Sequence, residues 1–260
     1  MNLESNKNLI NLTGVYKYLL LLLIVVTSAI PCEAEERDTI FLLHGLGRSS
    51  KSMLLLKHRL ENKGFQLVSR NYESTEQSIA DHVKWLEQEL ENCCQPDRAK
   101  VHFVTHSLGG IIVRSFLKDR EYKQLGRVVM LSPPNQGSEL ADIAKEWKVY
   151  EIIMGPSGQE LGTGPESIPK SLGPVNFELG IIMGNRSYNP VGSKILPGPD
   201  DGVVSVESAK VEGMKDFLVV DQSHSFIMNS SEVAKQVDTF LRTGLFLHET
   251  GSGRASPNSP

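Results

Sequence analysis

The sequence predicts an α/β protein: one domain with a mostly parallel central sheet flanked by helices. Three observations carry that expectation. Short continuous apolar runs such as TIFLL (Thr39–Leu43) and RVVML (Arg127–Leu131) fit strands buried on both faces. Between them lie segments with apolar residues at three- and four-residue spacing, the stripe of an amphipathic helix. Glycine- and proline-rich turns separate the two kinds of segment, and such alternation builds βαβ units.

Taken in order, Thr39–Leu43 is a strand that HGLG stops. Lys51–Lys63 carries Met53, Leu56 and Leu60 on one helical face, and Gly64 ends it. Phe65–Ser69 is a strand. Ser78–Cys94 places Ile79, Val83, Leu86 and Leu90 at helical spacing. A strand over Lys100–Thr105 leads into a helix over Leu108–Leu117, and Arg127–Leu131 follows as a strand. The rhythm then breaks. Ser138–Met154 has a helical stripe, and Gly155–Pro174 is a long Gly/Pro-rich loop. Phe177–Gly184, the strand-like Lys194–Leu196 and Asp216–Val220 resume the pattern, and Ser231–Thr243 closes it as a helix.

The chain has 260 residues, 40% apolar and 22% charged, enough for one sizeable core. A formal charge of −4 leaves no basic footprint for nucleic acid. Leu19–Ile30 is a short aliphatic run preceded by Lys7 and Lys17. That pattern predicts a signal peptide over 1–34, cleaved after Ala34, with an uncleaved N-terminal anchor as the alternative. The protein is then secreted or periplasmic, or else membrane-associated through residues 19–30. The folded domain spans 35–248, and 249–260 is a flexible polar tail. Cys32 leaves with the signal. Cys93 and Cys94 are adjacent and read as a helix end rather than a bridge. No C-x-x-C or H-E-x-x-H occurs, so no metal is expected.

The chemistry centres on VHFVTHSLGGIIV, an apolar strand, a tight turn at Ser107 and an apolar helix. A serine on a sharp strand-to-helix turn is presented as a nucleophile. It needs a base and an oxyanion hole. His224, four residues past the strand Asp216–Val220, has the place of the base. Asp201 in PDDGVV has the place of the orienting acid, with Asp200 as runner-up. A β-turn alone also accounts for Pro199–Gly202, and Asp221 is too near His224 in sequence to serve. The backbone N–H of Leu108 and of Leu46, in His44-Gly45-Leu46-Gly47, are candidate oxyanion donors. His102 reads as a packed strand residue, His58 and His82 as solvated, His44 as shaping its loop and His248 as part of the tail. The role of His106 stays open.

Together, HGLG after the first strand, HSLGG at the turn, SPPNQGS after a later strand, DDGVV and a late SH resemble a bacterial esterase/lipase of the α/β-hydrolase fold. Compact lipases with an H-G-[LI] oxyanion loop are the nearest group, and the likeness covers about Asp38 to Phe246. It implies carboxylic ester hydrolysis through an acyl-serine intermediate, a small-molecule or lipid ester as substrate and no organic cofactor. It supports Ser107, Asp201 and His224 as triad, and Leu46 and Leu108 as oxyanion donors. The structural calcium of some such lipases has no matching ligand cluster here. The departure is Thr105, where alanine or glycine is usual. Small residues belong two before and two after the serine, because these positions crowd each other. A cap over 138–175 stands against a packed surface helix as readings of that region. As a cap it brings Trp147, Tyr150 and Met154 to an acyl pocket, with Phe226 beside His224 as further wall. A thioesterase or phospholipid deacylase on the same site, or a non-catalytic binding protein of the same fold, are the rival functions.

Overall fold

The computed structural model describes residues 37–94, 99–144 and 148–248. The signal or anchor over 1–34, Trp147 and the tail 249–260 lie outside the described residues. The elements run β1 (Thr39–Leu43), α1 (Leu54–Leu60, entered through a 3₁₀ turn, Ser50–Met53), β2 (Gln66–Ser69), α2 (Ile79–Cys93), β3 (Val101–His106), α3 (Leu108–Leu117), β4 (Leu125–Leu131), α4 (Glu139–Ala144), α5 (Lys148–Gln159), α6 (Ile168–Ser171), β5 (Leu179–Gly184), α7 (Gly192–Ile195), β6 (Asp216–Val220) and α8 (Ser231–Thr243).

Among the described residues, six strands form one sheet in the order β2-β1-β3-β4-β5-β6, with every neighbouring pair parallel. Parallel strands need covered faces, and alternate side chains of β1 feed two separate cores. Phe41 and Leu43 join Leu86, Phe103 and Ile111 beneath α2 and α3. Ile40 and Leu42 join Leu56, Val104, Val237 and Phe240 beneath α1 and α8. The helix ends follow local chemistry. The Ser78 hydroxyl accepts from Asp81 N (3.2 Å) at the start of α2, and Ser230 accepts from Val233 N (3.3 Å) at the start of α8. Gly244 closes α8 at φ 79°.

Several expectations change. His82 is fully buried rather than solvated, because the inward stripe of α2 is Ile79, His82, Leu86 and Leu90, with its ring edge-on to Tyr72 at 4.9 Å. His248 is not loose: its Nε2 pairs with Asp216 Oδ1 at 2.8 Å. Cys93 and Cys94 do bridge, as a vicinal disulfide at the end of α2. Lys194–Leu196 is not a strand; Asn189 Oδ1 accepts from Gly192 N (3.0 Å) and starts the short α7 there. The loop expected from Gly155 also changes. Within Ser138–Met154 lie α4 and the first part of α5, and α5 continues past Met154 through a break at Gly155 (φ 60°, ψ −168°). Pro156 then opens a fresh helical turn, where its missing N–H is harmless.

Candidate active site

The C-terminal ends of β1, β3, β5 and β6 deliver the site, as expected of an open parallel sheet. At the end of β3 the backbone of Ser107 has φ 52° and ψ −121°, a region a non-glycine residue occupies only under constraint. The constraint is visible. Ser107 N–H donates to Leu131 O of β4 (2.9 Å), and Gly110 N–H donates to Ser107 O (2.9 Å). Glycines on both flanks let the chains close in. A Cβ on Gly109 would stand 2.9 Å from His44 O and from Leu43 Cβ. A Cβ on Gly45 would stand 2.8 Å from His106 Nδ1 and 3.1 Å from Ser107 Cβ.

This geometry also shows how the turn takes Thr105. The position crowded by Thr105 is Gly110, whose absent Cβ would lie 3.3 Å from Thr105 Oγ1. Gly109 is crowded by β1 instead. The expected squeeze between the residues two before and two after the serine is thus relocated by one residue, and a β-branched side chain fits.

Asp201 and His224 meet. His224 Nδ1 lies 2.8 Å from Asp201 Oδ2, and since a carboxylate only accepts, Nδ1 carries the proton and Nε2 is left as the lone-pair nitrogen. The other Asp201 oxygen accepts from Val203 N (3.0 Å) and Val204 N (2.9 Å). Burial raises the Asp201 pKa, but the His224 charge, the His224 hydrogen bond and the Val204 N–H outweigh it and hold the carboxyl below its ordinary value. Ser132, at the end of β4 with φ 49°, contributes in the same direction although its buried hydroxyl meets no strict hydrogen-bond geometry. Asp200 turns elsewhere: its Oδ1 takes Ser193 Oγ (2.9 Å) and Gly202 N (2.7 Å).

Ser107 is buried, and among the described residues its hydroxyl forms no hydrogen bond. The serine loop reaches the histidine loop through His106, whose Nε2 lies 2.9 Å from His224 O. Arg48, just past the oxyanion loop, reaches the same loop through Nη2 to Ser225 Oγ (2.8 Å). Of the two candidate oxyanion donors, Leu108 N–H opens α3, where helices leave N–H groups without internal partners. Leu46 sits in a turn closed by Arg48 N to Gly45 O (3.2 Å), with Gly47 at φ 63° giving its N–H to Ser74 Oγ (3.1 Å). His44 shapes this loop as expected. Its Nδ1 meets Gly45 O (2.9 Å), its ring stacks on Tyr72 at 4.1 Å, and Tyr72 Oη donates to His44 O (2.6 Å).

The region after α4 approaches Leu46 and packs against the start of α2. A Cβ on Gly158 of α5 would stand 3.2 Å from Leu46 Cδ2. Ser157 Oγ donates to Gln77 O (2.8 Å), Ile79 N to Glu160 Oε2 (2.7 Å) and Ser138 N to Leu161 O (2.9 Å). Phe226, two residues past His224, is 55% exposed rather than buried in a wall. Among the described residues no group of three His, Cys, Asp or Glu side chains is placed to hold a metal ion, and no helix is long and apolar enough to cross a membrane.

Comparison with known folds agrees with the sheet and its crossover order. A Bacillus licheniformis lipase, BlEst2 in its mature form, superposes with a TM-score of 0.66 at 20% identity, over 81% of this chain and 95% of that one. The protein has the α/β-hydrolase fold. The phospholipase PlaB from Legionella pneumophila matches this chain with a TM-score of 0.66 at 17% identity, over 81% of this chain and 60% of PlaB. A monoglyceride lipase variant from Saccharomyces cerevisiae matches with a TM-score of 0.53 at 13% identity, over 82% and 88%. The family described as "Putative serine esterase (DUF676)" matches residues 34–136. That span holds the oxyanion loop, the Ser107 turn and the Pro-rich loop after β4, and stops short of Asp201 and His224. No curated protein sequence matches this chain.

Sequence reasoning left His106 without a role, and it passed over Arg48, Tyr72, Ser74 and Ser132. The positive φ of Ser132 has no signature in SPP, and the Arg48–Ser225 contact joins residues 177 apart in sequence. Only the fold brings these together.

Proposed function

We propose that the protein is a serine carboxylic ester hydrolase, an esterase or lipase working through an acyl-serine intermediate. The observation that carries this reading is the buried Asp201–His224 pair, at 2.8 Å, tied through His106 Nε2, 2.9 Å from His224 O, to the strand-to-helix turn where Ser107 is held at φ 52°. In this mechanism His224 Nε2 takes the proton from Ser107 Oγ as it attacks the acyl carbon. The tetrahedral oxyanion is held by the N–H groups of Leu108 and Leu46. Asp201 keeps the imidazole in the Nδ1–H tautomer and stabilises the imidazolium. His224 then protonates the departing alcohol, and a water molecule repeats the sequence on the acyl-enzyme. No step calls for a metal or organic cofactor.

Labelling with a fluorophosphonate tests the reading. Covalent attachment at Ser107, lost in Ser107→Ala together with turnover of p-nitrophenyl esters, is the expected result. A folded Ser107→Ala protein that hydrolyses esters near the wild-type rate removes Ser107 from the mechanism.

A further inference from the structure

The histidine before the nucleophile, His106, is buried and has one partner. Its Nε2 lies 2.9 Å from the backbone oxygen of His224. That oxygen only accepts, so Nε2 carries a proton. Among the described residues the other nitrogen, Nδ1, is buried with no hydrogen-bond partner, and the Cα of Gly45 closes over it: a Cβ there would stand 2.8 Å away. A proton on Nδ1 would meet no acceptor. From this geometry we infer that His106 is a positioning residue, locked as the neutral Nε2–H imidazole, that fixes the distance of the His224 loop from the nucleophile.

The logic is one of attachment. The peptide of His224 is held on both sides: its N–H donates to Asp201 O (3.0 Å), and its C=O accepts from His106. His106 is covalently joined to Ser107. One hydrogen bond therefore couples the backbone of the base to the backbone of the nucleophile, whatever the two reacting side chains do. The rings of His106 and His224 lie 4.8 Å apart and tilted by 52°, so each also limits the rotation of the other. Burial and the nearby His224 charge both push the His106 pKa well down, with Arg48 adding to this, while the His224 carbonyl and Asp201 oppose it. His106 cannot replace His224 as base, because its lone pair faces Gly45.

This inference rests on the esterase reading for its kinetic consequence, but not for its tautomer. Two measurements keep them apart. In the folded full chain, imidazole ¹⁵N shifts should show His106 protonated at Nε2 and bare at Nδ1 from pH 6 to 9. His106→Gln places an N–H donor at similar reach, His106→Asn places one too short, and His106→Phe has none. Each variant's fold is checked by circular dichroism and melting. Phe and Asn should lower kcat about 100-fold with KM changed less than about threefold, the size expected when a reacting group is misplaced by an ångström. Gln should recover kcat to within about fivefold of wild type. A proton on Nδ1, or a folded Gln variant as slow as Phe, overturns the inference. The expected tautomer in a protein that a fluorophosphonate does not label overturns the esterase reading and the kinetic role with it.

Discussion

Asp200 and Asp201 show how much one residue's environment decides. Both are buried carboxylates in one turn, yet only Asp201 reaches His224. Val203 and Val204 N–H fix its second oxygen, while Asp200 closes the turn by binding Gly202 N and Ser193 Oγ. Asp201→Asn should lower kcat about 10⁴-fold by favouring the wrong imidazole tautomer, whereas Asp200→Asn should cost under about tenfold in kcat, with a measurable loss of melting temperature. Steady-state kinetics on the two variants separates them, and equal losses would mean that the acid is shared. The sequence favoured Asp201 only through a family pattern, because DD in a turn says nothing about which side chain faces the sheet. Ser107 and His224 were more legible, since strand–turn–helix context and chain order mark them. The burial of His82 was hidden by its residue type: histidine in an inward stripe reads as polar.

At the scale of elements, strands and strongly striped helices were legible and breaks were not. α3, β6 and α8 have the boundaries their apolar patterns predict, because buried faces leave a periodic record. The sequence ends the helical stripe at Met154 and reads Gly155–Pro174 as loop, yet α5 runs on to Gln159. The break falls at Gly155. A Cβ there would come within 1.5 Å of Thr75 O, at a φ and ψ that essentially only glycine adopts. The backbone of α5 is thus laid directly on the loop that supports the oxyanion turn. Gly155→Ala should destabilise the protein by about 3 kcal/mol, read by urea denaturation, and should slow turnover in the surviving folded fraction. Gly164→Ala, where a Cβ meets open space, is the control and should change stability by under about 1 kcal/mol. A Gly155→Ala protein as stable as this control would show that α5 is loosely seated.

Across the whole molecule, four histidines share one consequence. Burial lowers the pKa of His44, His82, His102 and His106 below 6.5. The unfolded chain therefore binds protons that the fold refuses, so stability is fully present above about pH 6.5 and falls as pH drops below it. Asp201 adds a second loss at lower pH: its pKa is held below 3.8, so its stabilisation is present above that value and disappears as the carboxyl protonates. Melting temperature should fall from pH 7 to pH 5 and then more steeply. His82→Phe tests the first slope. The ring nitrogens of His82 have no hydrogen-bond partner, although the Ser74 backbone lies near. Phenylalanine against Tyr72 should raise stability by about 1 kcal/mol, more at pH 5 than at pH 8. An unchanged pH slope would assign the acid sensitivity to other groups. The strained turn at Ser107 has a consequence in time as well as in space. Its backbone is held by Leu131 O of β4 and hemmed in by β1 through Gly109, so no single segment of the chain can hold that conformation. A nascent or half-folded chain carries Ser107, Asp201 and His224 without that backbone geometry. Under the proposed mechanism the serine therefore gains its reactivity only when the last of these strands has docked.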